Sequence, residues 1–361
     1  MGTIGCCSEN RSYKFESPHI YQINRYAKFT LKDAQLSSES QKETTTSITY
    51  ENKKSINAFQ SPNHKKQFLK NKNGEFQILS YDCEEEYFLD YKVTFPIIKT
   101  IEGMSELNID KKLFLCGISP KQKNEGSFLL RINFDKKYFD KDEQINAEIM
   151  INSHFPHIYP SLIHDKKRKI LCIGGKRQRK CELYDLDANN WFSLPQLQEE
   201  RYKCTLCLDN KGYFVYLFGG VNTDKEKTKD KSENDSLITI LRMDLEKRLI
   251  WENLLIKNNQ KNIIINRISS GAFTFKSDED FIFIVGGSDF DENCLDNVLR
   301  FSIKNIKFES TGIKLKNKAI FMNQNGSSIN EQAHCLIDSL NNIHIFDRHD
   351  CLPMDYHPDE I

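Results

Sequence analysis

The second half of the chain alternates short, strongly apolar runs with polar turns, and three of these passages are near-copies of one another. They are SLIHDKKRKILCIGG, CTLCLDNKGYFVYLFGG and GAFTFKSDEDFIFIVGG, which close on Gly174 and Gly175, Gly219 and Gly220, and Gly286 and Gly287. Each reads as strand, polar turn, very apolar strand and backbone break. Runs such as Phe214 to Phe218 are apolar at successive positions, so both faces of the strand need cover from neighbouring sheets. Recurrence at this spacing predicts stacked or radially arranged all-β units rather than one irregular core.

A second phrase recurs beside the first. It reads CELYDLDANNWF around Tyr184 and Trp191, ILRMDLEKRLIW around Met243 and Trp251, and VLRFSIKNIKF around Phe301 and Phe308. Upstream, LLRINFDKKYF sets Ile132 and Phe139 at the same separation, and ILSYDCEEEYF does so with Tyr81 and Phe88. Six residues stand between the two large side chains in each copy except Met243 to Trp251, which is one longer. These large side chains are expected in the core, where aromatic burial dominates. The glycines are expected where a strand passes close to its neighbour or needs positive φ.

Paired strands, a Gly-Gly break, then Tyr and Trp separated by six residues resemble kelch repeats. The resemblance implies a β-propeller whose blades are four-stranded antiparallel sheets, with the glycine pair after the second strand and the aromatics on the third and fourth. It is fullest at Gly174, Gly175, Tyr184 and Trp191. Two units depart from it: one has only Cys116-Gly117 where the pair belongs, and HCLIDSLNNIHIFDRH ends without glycine. Counting final aromatics predicts five blades. One of them is a composite that joins the strand pair His334 to Phe346 to the phrase Phe76 to Tyr91, and a sixth follows if Ile20 to Phe59 supplies strands.

This reading divides the chain into a flexible N-terminal tail at 1–74, a propeller at 75–350 and a C-terminal tail at 351–361. The first segment is rich in Ser, Thr, Lys, Asn and Gln, with LSSESQKETTTS at its centre, and buries little apolar surface. Within the propeller, VNTDKEKTKDKSENDS mixes charges without apolar residues and is expected to be a solvated loop.

Basic and acidic residues balance at 51 each. A nucleic-acid binder usually carries a basic excess, so nucleic acid is not an expected partner. The 11 cysteines are irregularly spaced and follow no secretory segment, so they are expected to be reduced and intracellular. Cys204-Thr205-Leu206-Cys207 has metal or redox spacing, but inside a strand its two thiols point to opposite faces, and a buried structural role is expected.

The beginning, Met1-Gly2-Thr3-Ile4-Gly5-Cys6-Cys7, is the most specific short signal. Loss of Met1 exposes Gly2 for myristoylation, although Cys6 stands where Ser or Thr is usual, and Cys6 and Cys7 are candidates for palmitoylation. Two acyl chains hold a protein on a membrane where one does so marginally. His154, His157 and His164, and His344, His349, Cys351 and His357, match no metal-ligand spacing, so neither metal nor other cofactor is expected.

No phosphate loop, nucleophile elbow or dinucleotide fingerprint is present. The densest basic loop, Lys176, Arg177, Arg179 and Lys180, is a candidate for binding an acidic partner, beside its simpler role as a solvated turn. The expected function is a non-catalytic protein-interaction scaffold or adaptor, tethered by acylation to the cytoplasmic face of a membrane. The alternatives are a propeller enzyme acting on a small molecule or sugar, and a soluble substrate adaptor.

Overall fold

A computed structural model describes residues 26–29, 65–72, 75–82, 87–94, 102–109, 111–118, 126–134, 145–165, 167–222, 240–254, 256, 270–275, 278–288, 295, 297–314, 334–337 and 343–346. All regular structure among them is β-strand, in five four-stranded sheets and one three-stranded sheet.

In chain order, β1 (Tyr26–Phe29) stands apart from its neighbours in sequence. Sheet 1 contains β2 (Lys65–Lys72), β3 (Glu75–Asp82) and β4 (Tyr87–Thr94), and sheet 2 contains β5 (Glu102–Ile109), β6 (Lys112–Ile118) and β7 (Phe128–Asn133). The fourth places are taken by β8 (Ile145–Asn146), parallel to β4, and β9 (Glu148–Ile149), antiparallel to β7. Sheet 3 is β10 (Ser161–Asp165), β11 (Lys169–Gly175), β12 (Gln178–Asp185) and β13 (Asn190–Leu194). Sheet 4 is β14 (Thr205–Leu208), β15 (Phe214–Phe218), β16 (Ile240–Asp244) and β17 (Glu252–Leu254). Sheet 5 is β18 (Gly271–Phe275), β19 (Asp278–Val285), β20 (Asn297–Ser302) and β21 (Lys307–Lys314). Sheet 6 joins β22 (His334–Ile337) and β23 (Ile343–Phe346) to β1.

Aspartates close the hairpins by accepting backbone N–H groups, as short polar side chains do in turns. Asp165 accepts from Lys167 and Lys169 at 2.9 and 2.8 Å, and Asp209 accepts from Tyr213 and Phe214 at 2.7 and 2.9 Å. Asp185 and Asp244 repeat the device in the hairpins of β12–β13 and β16–β17. Short connections of this kind force each strand back against its predecessor, which yields antiparallel meanders.

Strands apolar on both faces bury one face against each neighbouring sheet. Tyr184, Trp191, Ile170 and Cys172 of sheet 3 pack on Phe114, Cys116 and Leu129 of sheet 2. The opposite face, including Leu171, Leu183 and Leu194, packs on Val215, Leu217, Met243 and Trp251 of sheet 4. Sheet 4 in turn meets sheet 5 through Tyr216, Phe218, Phe301 and Phe308.

The first strands of the sheets stand in sequence, β2 beside β5, β5 beside β10, β10 beside β14, β14 beside β18 and β18 beside β22. Hydroxyls near their starts step from sheet to sheet. Ser105 donates to the carbonyl of Pro160 at 2.5 Å, Ser161 to that of Cys204 at 2.8 Å and Thr205 to that of Ser270 at 2.7 Å. This arrangement is propeller-like.

Three sequence expectations are corrected. The phrase Phe76 to Tyr91 does not borrow a first half from the C-terminus: β2 lies before it, and Tyr81 faces Phe88 between the second and third strands. The C-terminal pair instead accepts β1, with Tyr26 opposite Phe346. In sheet 2, β7 is paired by β9, with Arg131 opposite Glu148, so the fourth strand does not come from the phrase containing Phe139, which lies outside the described residues. Strand β2 falls within 1–74, the segment expected to be tail, whereas β1 lies inside Ile20 to Phe59, the stretch that the six-unit alternative draws on. The acylation candidates Gly2, Cys6 and Cys7, and all of 351–361, lie outside the described residues.

Candidate functional site

The repeat residues lie at the junctions between strands. Gly174 and Gly175 end β11 with φ of 62° and 137°, and Gly219, Gly220, Gly286 and Gly287 are likewise in the positive-φ region. At Gly174 a methyl group would stand 2.5 Å from the Arg201 carbonyl oxygen, so close approach as well as φ requires glycine. Tyr184 and Trp191 face each other across β12 and β13 with ring centroids 5.2 Å apart, and Phe301 and Phe308 do so at 5.3 Å. Trp251 is buried against sheet 3.

Both tryptophans also fasten a chain connection. The Trp191 indole donates to the Ile151 carbonyl at 2.7 Å, and the Trp251 indole to the Pro195 carbonyl at 2.9 Å. Each acceptor lies just beyond the preceding sheet, so the fourth strand of one sheet holds the exit from the sheet before it.

The basic residues Lys176, Arg177, Arg179 and Lys180 surround the β11–β12 turn, which is wedged between the connections 150–160 and 195–204. The Lys176 amide donates to Ile158 at 2.6 Å, the Gly175 amide to Arg201 at 2.8 Å and the Leu197 amide to Arg179 at 2.9 Å. The three segments therefore form one surface. On it the ammonium of Lys176 lies 5.5 Å from the Tyr202 ring centre, that of Lys203 lies 5.7 Å from Tyr159, and that of Lys180 lies 5.4 Å from Phe155. The Tyr159 and Tyr202 rings are themselves 6.2 Å apart. Arg179 donates to the Gln198 carbonyl at 3.3 Å.

Beside this surface sits a carboxylate that the sequence pattern did not single out. Glu182 is fully buried on β12. In register with the glycine break, the same position in sheets 2, 4 and 5 is Leu130, Leu241 and Leu299. One oxygen of Glu182 receives the His154 amide at 3.1 Å and lies 2.6 Å from His154 Nδ1. The other receives the Phe155 amide at 3.2 Å and lies 2.9 Å from Nε2 of the fully buried His157.

His157 Nδ1 is 2.6 Å from the Gly174 carbonyl oxygen, an acceptor only, so that nitrogen carries a hydrogen and donates. Ser127 closes the far side: its hydroxyl accepts the His157 amide at 2.6 Å, and its own amide donates to the Ser153 hydroxyl at 2.8 Å. Burial by itself raises the Glu182 pKa, but hydrogen bonds from the His157 and His154 rings and the His154 amide, with the charge of His157, outweigh it and hold the carboxyl below its ordinary value. The carboxylate is a latch: four donors converge on it, and all belong to the connection carrying Phe155 and Tyr159.

His154 and His157, suspected from sequence only as metal ligands, are thus brought together by Glu182. No group of His, Cys, Asp or Glu suited to hold a metal ion occurs among the described residues. His164 lies on β10, away from this pair in the strand order, and His344 lies on β23. His349, Cys351 and His357 fall outside the described residues. Cys204 is buried facing sheet 3 and Cys207 facing sheet 5, on opposite faces as strand geometry requires. Burial pushes the Cys204 and Cys181 thiols up to about 12 despite opposing hydrogen bonds, so both are poor nucleophiles near neutrality. The charged insertion after Asn222 lies outside the described residues.

At its β11–β12 end, sheet 3 thus carries a buried anion joined to two histidines and, beside it, a cationic, aromatic surface. That surface suits recognition of negative charge. Comparison with family models finds no match for this chain, and comparison with curated proteins finds no similar sequence.

Proposed function

We propose that this protein is a kelch-type β-propeller that serves as a non-catalytic protein-interaction module, tethered to the cytoplasmic face of a membrane through acyl chains on Gly2, Cys6 and Cys7. The observation that carries the reading is the succession of meander sheets whose first strands stand side by side, joined by the Ser105, Ser161 and Thr205 hydroxyl steps. Sheets placed that way leave their second-to-third-strand turns and inter-sheet connections at a common end, where variable loops gather as a binding surface. Further support for the kelch assignment comes from sheet 3, where the glycine pair ends the second strand and Tyr184 and Trp191 occupy the third and fourth. Closure of the ring, by β22 of sheet 6 meeting β2 of sheet 1, belongs to the same proposal.

The binding part is tested by photo-crosslinking the full chain in its own cells and identifying the attached proteins. A reproducible protein partner supports the module, and none overturns it. The tether is tested by labelling with an alkynyl myristate, comparing the native chain with Gly2→Ala and with Cys6→Ser plus Cys7→Ser. Label lost in Gly2→Ala and release of both variants from the membrane fraction support it; a native chain that is unlabelled and stays in solution overturns it.

A further inference from the structure

Resting on the interaction-module reading, we infer that the surface formed by Tyr159, Lys176, Arg177, Arg179, Lys180 and Lys203 binds a linear acidic segment of a partner protein. The chain as a whole carries no net charge, yet five cations meet here, four on the β11–β12 turn and one on the connection 195–204, and both segments are tied by backbone hydrogen bonds to each other or to the connection 150–160. The ammonium groups of Lys176, Lys180 and Lys203 lie over the rings of Tyr202, Phe155 and Tyr159, an arrangement that holds these three long side chains in place before a ligand arrives.

The backbone bends alike at the two connections that border this surface. Tyr159 and Lys203 occupy equivalent positions, each two residues before the first strand of its sheet, and both adopt positive φ, 54° and 55°. The other described non-glycine residues with positive φ, Arg168, Arg177, Asn189, Arg248 and Ile306, all lie in hairpin turns between paired strands. Gly103 of sheet 2, two residues before the Ser105 that matches Ser161 and Thr205, has the same positive φ of 61°, so the bend belongs to the repeat; at the entries to sheets 3 and 4 it is carried by side-chain-bearing residues that surrounding contacts must hold. Those contacts include the Glu182 latch, which anchors the connection bearing Tyr159.

A peptide fits better than an extended polyanion. Glu199 and Glu200 stand on the same connection as Lys203, and Glu199 accepts a hydrogen bond from Asn222 at 3.1 Å. A membrane surface or a nucleic-acid duplex would press continuous negative charge against these carboxylates. A short strand of protein can set its acids among the cations and a neutral residue beside Glu199.

The test is fluorescence anisotropy of the full chain with a short labelled peptide alternating glutamate and serine, and with the same peptide carrying glutamine for glutamate. The glutamate peptide is expected to bind with an affinity that falls as salt rises, and the glutamine peptide not to bind. Lys180→Glu combined with Lys203→Glu should weaken binding at least about tenfold. The same reversal at the opposite end of the sheets, Arg168→Glu with Lys247→Glu, should leave it unchanged. Lys180→Gln with Lys203→Gln provides the milder pair should the reversal unfold the protein, and each variant is checked by its thermal midpoint.

Equal binding of the glutamine peptide, equal loss on reversal at the opposite end, or no binding at all overturns the inference. So does displacement of the peptide by anionic vesicles or duplex DNA at matched charge concentration, because the surface would then be a general polyanion site. A partner crosslinked equally by the native chain and the Lys180, Lys203 variant removes this surface and keeps the module. Peptide binding without any crosslinked partner removes the module and keeps the surface.

Discussion

The connections entering sheets 3 and 4 occupy equivalent places and solve the same problem with opposite chemistry. Residues 150–160 carry the buried His157, which pairs with Glu182 on β12; residues 195–204 carry the buried Arg201, and the position matching Glu182 is Leu241. Arg201 feels desolvation that opposes its charge, partly offset by Cys204 and Glu199. Both connections accept a tryptophan indole, both place a residue at positive φ two positions before the next strand, and both bond to the Lys176 turn or its glycines. The shared features belong to the repeat. Among the described side chains of sheets 2 to 5, the buried ion cluster is particular to sheet 3, on the connection that also borders the basic surface.

The largest effect probes what the two regions share. Trp191→Ala and Trp251→Ala should each cost about 4 kcal/mol, because both empty a core site and release a carbonyl bond. Urea midpoints measure this, and a near-equal loss at the two sites marks the equivalence of the junctions. A loss confined to one would break the comparison.

The next effect probes the difference. Glu182→Leu gives sheet 3 the residue of its sisters but strands His157 and two backbone amides, and should cost about 3 kcal/mol. Adding His157→Leu should cost less than the sum of the two single changes, since the partner is already lost. The pH dependence follows from the direction of the Glu182 shift. Its folded pKa is depressed, so its contribution is fully present above the ordinary value near 4.5 and disappears as pH falls through the lower folded value. Glu182→Gln should therefore be less stable than the native chain at neutral pH, with the gap closing only in acid below that range.

The smallest effect concerns the hydroxyl steps. Thr205→Val keeps the shape but removes the donor to Ser270, at about 1 kcal/mol. Ser161→Ala should cost a similar amount at the sheet 3 to sheet 4 step, as read from thermal midpoints. A cost near zero at both would separate these bonds from the stability of the sheet junctions.

Local features were legible because their physics is local. Asp165, Asp209, Asp185 and Asp244 mark turns through bonds to amides within a few residues, and Gly174 with Gly175 announces a backbone that other residues rarely adopt. Pairings that span the chain were not. Lys65 to Lys72 is too polar to declare itself a strand, so the sequence pattern places the Tyr81 and Phe88 hairpin one strand out of phase. Nothing near Tyr26 names Phe346 as its partner. The basic loop was visible as a run of charge, but Tyr159, Tyr202 and Lys203 join it only in space. One usable signal was missed: against LLRI, ILRM and VLRF, the phrase CELY puts glutamate where the others have leucine.

The sequence by itself determined an all-β chain of repeated strand pairs, since period, turn chemistry and glycine breaks act over a few residues. It also singled out the glycines and aromatics that hold neighbouring sheets. Only the tertiary structure decided which strand completes each sheet, and that His154, His157 and Glu182 form one cluster beside a surface of lysines and tyrosines. Those contacts join residues 25 and more positions apart, and their strength comes from burial, which no stretch of sequence possesses until the sheets pack.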